Sequence, residues 1–171
     1  MLENNQIIDA DGYRANVGIV ICHHSGDLFW AKRRSQNAWQ FPQGGMLVAE
    51  SPEQSLFREL REETGLMAAD VNLLMASDHW YRYDIPAHLL PRDNPQIIGQ
   101  KQKWFLLELV SPVARLNLNI CDKPEFEDWR WINYWQPLKE VVEFKKGVYQ
   151  KMLEEFRPLF EQKFHAANRS K

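Results

Sequence analysis

Hydrophobic and polar positions alternate along the first third of the chain in short blocks. "GIVIC" (18–22) is a β-branched run suited to a buried strand. "LFWAK" (28–32) follows "HHSGD", whose Ser-Gly-Asp reads as a turn, so the two runs form a hairpin. "AWQFP" (38–42) is a further extended piece, closed by Pro42. The pattern then changes period. Leu56, Phe57 and Leu60 make one apolar helical face behind Ser51 as N-cap, Pro52 at the first helical position and Gln54 completing a capping box. Gly65 stands where a C-terminal stop belongs, so the helix is predicted over about 52–64.

Period-two patterning returns at 71–77, at "QKQKWFLLELV" (100–110) and at "FEDWRWINY" (126–134). Between them, 84–98 carries three prolines and reads as a long excursion. At the end, Val148, Met152, Phe156 and Phe160 share a helical face, with Leu153, Leu159 and Phe164 beside it. That helix is expected over about 145–164, with Pro158 kinking or ending it. Strands on both sides of a central helix, with a second helix last, predict one α+β domain over 1–171, helices packed on a sheet.

Composition narrows the function. The 171 residues are 44% hydrophobic and 26% charged, with a formal charge of −2. That balance argues against wrapping a long nucleic acid, which needs a broad basic track, and leaves open reading one end of one. Cys22 and Cys121 are far apart, without a CxxC, and read as plain buried thiols. No apolar run approaches a membrane span and the N-terminus is not a signal peptide, so cytoplasm and no membrane partner are expected. His23, His24, His79, His88 and His165 show no ligand spacing. Trp129, Trp131 and Trp135 are expected in the core.

The chemistry sits in "GGMLVAESPEQSLFRELREETGL" (44–66). Glu59 and Glu63 are like charges at i,i+4, a repulsion of a few tenths of a kcal/mol. Carboxylate oxygens are hard ligands, and a bound Mg²⁺ or Mn²⁺ turns this repulsion into shared attraction. Arg58 can pair with Glu62 at i,i+4 or reach back to Glu50 and hold the loop. The stretch reads G-x5-E-x7-R-E-U-x-E-E-x-G-U, U being apolar, with Gly44, Glu50, Arg58, Glu59, Leu60, Glu62, Glu63, Gly65 and Leu66 filling every position. It resembles the Nudix box of hydrolases acting on nucleoside diphosphates linked to another moiety. The resemblance implies the Nudix fold, a mixed sheet between helices. It also implies metal-dependent attack of water on a pyrophosphate linkage. Metal would be held at Glu59, Glu62 and Glu63 beside Gly44, with Arg58 in the catalytic set. The general base is open among Glu59 first, Glu62 and Glu63 next, and a Glu outside the box.

"GYRANVGIVI", "WQFPQGG", "GQKQKWFLLELV", "PEFEDWRWINYW" and "VVEFKKGVY" together resemble the bacterial RNA pyrophosphohydrolases, also labelled dinucleoside polyphosphate hydrolases. The 5′-triphosphate end of RNA is then the expected partner, with dinucleoside polyphosphates as the alternative substrate and a non-catalytic nucleotide sensor as a third reading. Candidate cations are Arg14, Lys32, Arg33, Arg34, Lys101, Lys103, Lys145 and Lys146. By resemblance, an exposed Phe144 and Arg33 grip a base, with Lys145 and the Val142 backbone close by. Glu125 brings a further metal-binding carboxylate, with Glu127 its competitor. Gln43, Tyr83, Gln100 and Gln102 stand near phosphate. The chain departs from that group at Ala15, where many members have Pro, and in the loop "MLVAES".

Overall fold

The computed structural model describes residues 5–165. Eight strands form one mixed sheet. In chain order they are β1 (Tyr13–Cys22), β2 (Leu28–Arg33), β3 (Trp39–Gln40), β4 (Gln43–Gly45), β5 (Val71–Ala76), β6 (Tyr81–Asp84), β7 (Gly99–Leu109) and β8 (Phe126–Ile132). The helices are α1 (Pro52–Thr64), α2 (Pro137–Glu140) and α3 (Glu143–Phe160). The spine of the sheet runs β3-β2-β1-β7-β5, with β4 on β1, β6 on β7 and β8 on β2. β1 and β7 are parallel over their whole length, from Tyr13 opposite Gly99 to Cys22 opposite Glu108, and every other pair is antiparallel.

Both faces of the central strands are buried over 17–22, 28–31 and 104–107, which is why these stretches are nearly all apolar. Val17, Ile19 and Ile21 of β1 pack with Phe29, Phe105, Leu107 and the α1 residues Leu56 and Leu60. Val20, Trp30, Trp104 and Leu106 pack on the other face with Tyr149, Met152 and Phe156 of α3. The sheet is therefore sandwiched between α1 and α3, as predicted. Each wholly buried Leu or Phe contributes roughly 1.5–3 kcal/mol, so both helices are anchored firmly.

α1 has the predicted bounds. Ser51 and Gln54 form the reciprocal capping box, and Gly65 ends the helix in the left-handed region at φ 74°. At α3, Pro158 does not end the helix. Pro158 lies inside the helix, which continues to Phe160 and then one π-helical turn, Glu161–His165. Pro158 is on the solvent side while Phe156 and Phe160 are held in the core, so only the outer face loses a helical hydrogen bond. The tryptophan expectation also needs correcting: Trp129 and Trp131 are half-buried, and Trp135 is exposed. Cys22 is buried, whereas Cys121 is only half-buried. The predicted termini at 1–4 and 166–171 lie outside the described residues. No helix among the described residues is long and apolar enough to cross a membrane.

Candidate active site

One cleft of about 700 Å³ opens between the β4–α1 loop and the start of α3. Its acidic end is built by α1. Gly44 has no side chain because the carboxyl of Glu59 lies against its backbone; a Cβ there would fall 1.9 Å from Glu59 Cδ. Arg58 ties this end together. Its Nη2 donates to Glu50 Oε2 and to the Gly45 carbonyl, both at 2.9 Å, and its Nε donates to Glu50 Oε1. Its Nη1 donates to Glu59 Oε1 at 2.7 Å and, more weakly, to Glu62 Oε2 at 3.4 Å. Both pairings left open by the sequence are thus made, the one to Glu50 being bidentate. Glu50 also accepts from Ser55 Oγ and the Leu47 N–H, and the Arg58 guanidinium beside it holds its carboxyl down to about 2.

The three box glutamates have different surroundings. Glu59 is buried and lines the cleft; burial pushes its carboxyl up to about 7 against the opposing pull of Arg58. Glu63 is 4% exposed, and neither carboxylate oxygen makes a well-formed hydrogen bond, its nearest polar neighbours being the Gln43 backbone and the Glu125 carboxyl. Burial, then the negative charges of Glu125 and Glu59, raise its pKa well above the usual carboxylate range. Glu62 is exposed and turned to Arg58, so it does not line the cleft. Glu125, just ahead of β8, does line it, and its carbonyl accepts from the Arg34 N–H at 2.8 Å. Its competitor Glu127 is instead committed to Lys32 and the Ser35 N–H.

Among the described residues no three acidic, imidazole or thiol groups gather tightly enough to hold an ion by themselves. The donor chemistry nevertheless fits a hard divalent cation. The Glu63 carboxyl is buried without a well-formed hydrogen bond beside Glu59 and Glu125, an arrangement that costs free energy when it is ionised unless a cation offsets the charge, and that otherwise favours the protonated form. Mg²⁺ and Mn²⁺ sites of this kind share their shell between one or two carboxylates, water and substrate phosphate, so a complete protein cage is not required.

The other end is cationic and aromatic. Of the eight candidate cations only Arg14, Arg33 and Lys145 line the cleft. Lys32 pairs with Glu127, Arg34 with the Pro124 carbonyl and Asn119, and Lys101 with Asp9, while Lys146 is exposed. The strand pairing shifts register between Lys32 and Arg33, and such a bulge re-aims the side chain that follows. Phe144 is half-buried rather than exposed, tilted at 45° to Tyr83 with ring centroids 5.7 Å apart. Lys145 is buried, donates to Gln40 Oε1 at 3.0 Å and lies 5.9 Å from the Phe144 ring centre. Burial and the Arg33 charge lower its ammonium to about 8. Val142 caps α3 and its carbonyl accepts the Lys145 N–H at 3.1 Å.

The cleft is also lined and backed by linked amides and a phenol. Tyr83 Oη donates to Gln100 Oε1 at 2.8 Å, and both residues line the cleft. Gln102 does not: it is wholly buried and donates to Asn16 Oδ1 at 2.8 Å and Gln43 Oε1 at 3.2 Å, so it supports the wall from behind. Sequence reasoning missed Gln6, Asn16, Trp39 and Gln40, which also line the cleft, and the apolar rim Ile85, Leu89 and Pro91. Trp39 and Gln40 lie in "WQFPQGG", which abuts the glycine loop, and Asn16 in "GYRANVGIVI"; Gln6, Ile85, Leu89 and Pro91 carried no signal.

A mixed sheet between two helices, with a glutamate helix set on a glycine loop beside a cleft, defines a Nudix-type hydrolase of phosphoanhydride bonds. The chain belongs to the Nudix family: the NUDIX domain matches residues 12–152. Hydrolases of this family generally need a divalent metal. The chain is 53% identical over 153 residues to the RNA pyrophosphohydrolase of Pseudoalteromonas translucida, covering 89% of each chain. It is 49% identical over 166 residues to that of Shewanella woodyi, covering 95% of this chain and 96% of the relative. Among solved structures, the E. coli dihydroneopterin triphosphate pyrophosphohydrolase aligns with TM-score 0.64 at 19% identity, over 81% of this chain and 94% of that one. A C. elegans Ap4A hydrolase complex aligns with TM-score 0.63 at 17% identity, over 86% and 98%. These two likenesses show the fold.

Proposed function

We propose that this chain hydrolyses the 5′-triphosphate end of RNA to a 5′-monophosphate with release of pyrophosphate, using Mg²⁺ or Mn²⁺, in the cytoplasm as a step that promotes RNA decay. The observation that carries the reading is that one cleft joins two unlike ends. Glu59 and Glu125, with the buried Glu63 behind them, share one cleft with Arg33, Phe144 and Lys145 and with amide and hydroxyl groups, and Lys145 feels the charges of Glu125 and Glu63. A volume of about 700 Å³ accommodates a polyphosphate and a nucleotide. The relatives at about half identity carry the same name over nearly their full length.

The division of labour follows from the surroundings. A divalent ion held by Glu59, Glu63 and Glu125 would screen the phosphates and lower the pKa of water. Arg58, saturated by carboxylates, has no charge to spare for substrate; it fixes Glu59 and the loop. Glu59 or Glu125 takes the proton of the attacking water, because Glu62 is turned away. The water oxygen adds at the α-phosphorus, the α–β bond breaks, and pyrophosphate leaves. Arg14, Gln43, Tyr83 and Gln100 meet the phosphates. A base beyond the first phosphate stacks on Phe144 under Arg33, with the Lys145 ammonium and the Val142 backbone at its edge.

Product analysis on RNA labelled at the γ-phosphate tests this directly. With Mg²⁺ present, label is expected in pyrophosphate. Turnover of Ap4A without turnover of triphosphorylated RNA would overturn the substrate, and label only in orthophosphate would overturn the bond.

A further inference from the structure

We infer that Gln6 is the positioning residue of Arg14, setting its guanidinium toward the phosphates from a segment that precedes the family-matched residues 12–152. The inference rests on reading the cleft as a polyphosphate site.

The segment is held by backbone, not by chance contact. Gln6 bridges Leu47 in the β4–α1 loop and Ile8 bridges Arg14 on β1, both antiparallel. The Ala15 N–H donates to the Ile7 carbonyl at 2.8 Å, and the Val48 N–H donates to the Asn5 carbonyl at 2.8 Å. The segment thus spans β1 and the loop carrying Glu50. In extended chain Gln6 shares a face with Ile8, two residues on, and Ile8 stands opposite Arg14. Gln6 is therefore the diagonal neighbour of Arg14, within reach of a long side chain.

That placement solves a problem peculiar to Arg14. Its side chain lies partly buried in the cleft wall, and Nε is enclosed without a partner. Among the described residues its one side-chain hydrogen bond is from Nη1 to Gln6 Oε1, at 3.2 Å. Arg58 makes the contrast: Glu50 and Glu59 hold it firmly and neutralise it. A neutral amide oxygen orients a guanidinium and leaves its charge available to an anion. With Oε1 turned to Arg14, the Gln6 amide nitrogen lies toward Gly45, 3.7 Å from where a Cβ would stand there, and both residues line the cleft. Gln6 thus has donors left on the side where the phosphates lie.

The test is a double-mutant cycle on the full chain, with Gln6→Met, Arg14→Ala and both together, assayed on 5′-triphosphorylated RNA. Gln6→Met keeps length and packing and removes the acceptor. It is expected to raise KM roughly tenfold, the weight of a hydrogen bond to a charged group, with kcat and the melting temperature held. In the Arg14→Ala background the same change is expected to alter KM by less than about twofold. Losses that add independently, or a Gln6→Met effect confined to melting temperature or kcat, would overturn the positioning role. If the wild type leaves triphosphorylated RNA uncleaved, the substrate reading fails by itself. The cycle is then read as the Kd for inorganic tripolyphosphate in Mg²⁺, where the same coupling is required.

Discussion

The two ends of the cleft are built on opposite plans. The acidic end comes almost wholly from one helix and the loop ahead of it: Gly44, Gly45, Glu50, Arg58, Glu59 and Glu63 lie within twenty residues of chain, and Glu125 alone joins them from a distant segment, just ahead of β8. Its geometry follows from helical spacing and one close backbone approach. The cationic end unites Arg33 at the tip of β2 with Phe144 and Lys145 at the start of α3, over one hundred residues later. Its geometry depends on a bulge, on the packing of α3 across the sheet, and on Gln40 holding the lysine. A local plan serves chemistry common to any phosphoanhydride. A composite plan can be altered one wall at a time, and so serves choice among substrates.

The largest effect should come from the acidic end and be blind to substrate. Glu59→Gln and Glu63→Gln keep shape and remove charge. Each is expected to lower kcat by about 100- to 10,000-fold, the range for a lost acid–base or charge-stabilising group. The loss should be equal on RNA and on Ap4A, with the fold intact by circular dichroism. A variant losing one substrate selectively would break the proposed division between the two ends.

Next in size is Phe144→Ala. Base–aromatic stacking contributes about 1–3 kcal/mol per base, so RNA turnover at low concentration should fall roughly 5- to 100-fold. Use of a small nucleotide should change far less. Equal losses would assign the ring to the support of Tyr83 and α3, which it also touches.

The same contrast governs what was legible in the sequence. α1 could be read to the residue because every determinant is local: cap, proline, apolar face, stop glycine, and glutamates at i and i+4. The bounds of the strands were coarser. β1 begins at Tyr13, five residues before the apolar run, because Tyr13–Val17 are ordered by pairing with β7 and β4. β4 and β6 lack an apolar signal of their own and exist through their neighbours. At the site, spacing announced a carboxylate cluster but could not say that Glu62 turns outward while Glu63 is sealed in. Burial of Gln102 behind the wall, and of Lys145 beneath it, follows from packing between distant elements. Gln6 was invisible for the same reason: nothing in "NNQIID" distinguishes it until it is laid beside Arg14.

The smallest effect concerns what the acidic end costs the fold without its ion. The folded-state pKa of Glu59, about 7, and the raised value of Glu63 both lie above the ordinary value of 4.5. The folded chain therefore binds protons more tightly there than the unfolded chain does. The stabilisation is fully present below about pH 4.5; the Glu59 part is lost as pH rises through about 7, and the Glu63 part is lost in the same direction. In chelator, the melting temperature should fall between pH 5 and pH 8, by on the order of 2–4 °C for each kcal/mol lost in a chain of this size. From about pH 5 upward two other groups act in the opposite sense, the lowered carboxyls of Asp9, Glu50, Asp70 and Glu127 doing so mostly below about pH 5. His23, with a lowered pKa, gains stability as acid is removed, and Lys145 does so only above about pH 8. Comparison with a Glu59→Gln/Glu63→Gln double variant subtracts both, and that variant should show a flatter profile. Adding Mg²⁺ should raise the wild-type melting temperature more at pH 8 than at pH 5, because the ion offsets the charges that burial penalises. A wild-type profile that matches the double variant with and without Mg²⁺ would mean that these carboxyls titrate as solvated groups, and the cost ascribed to burying Glu63 would not exist.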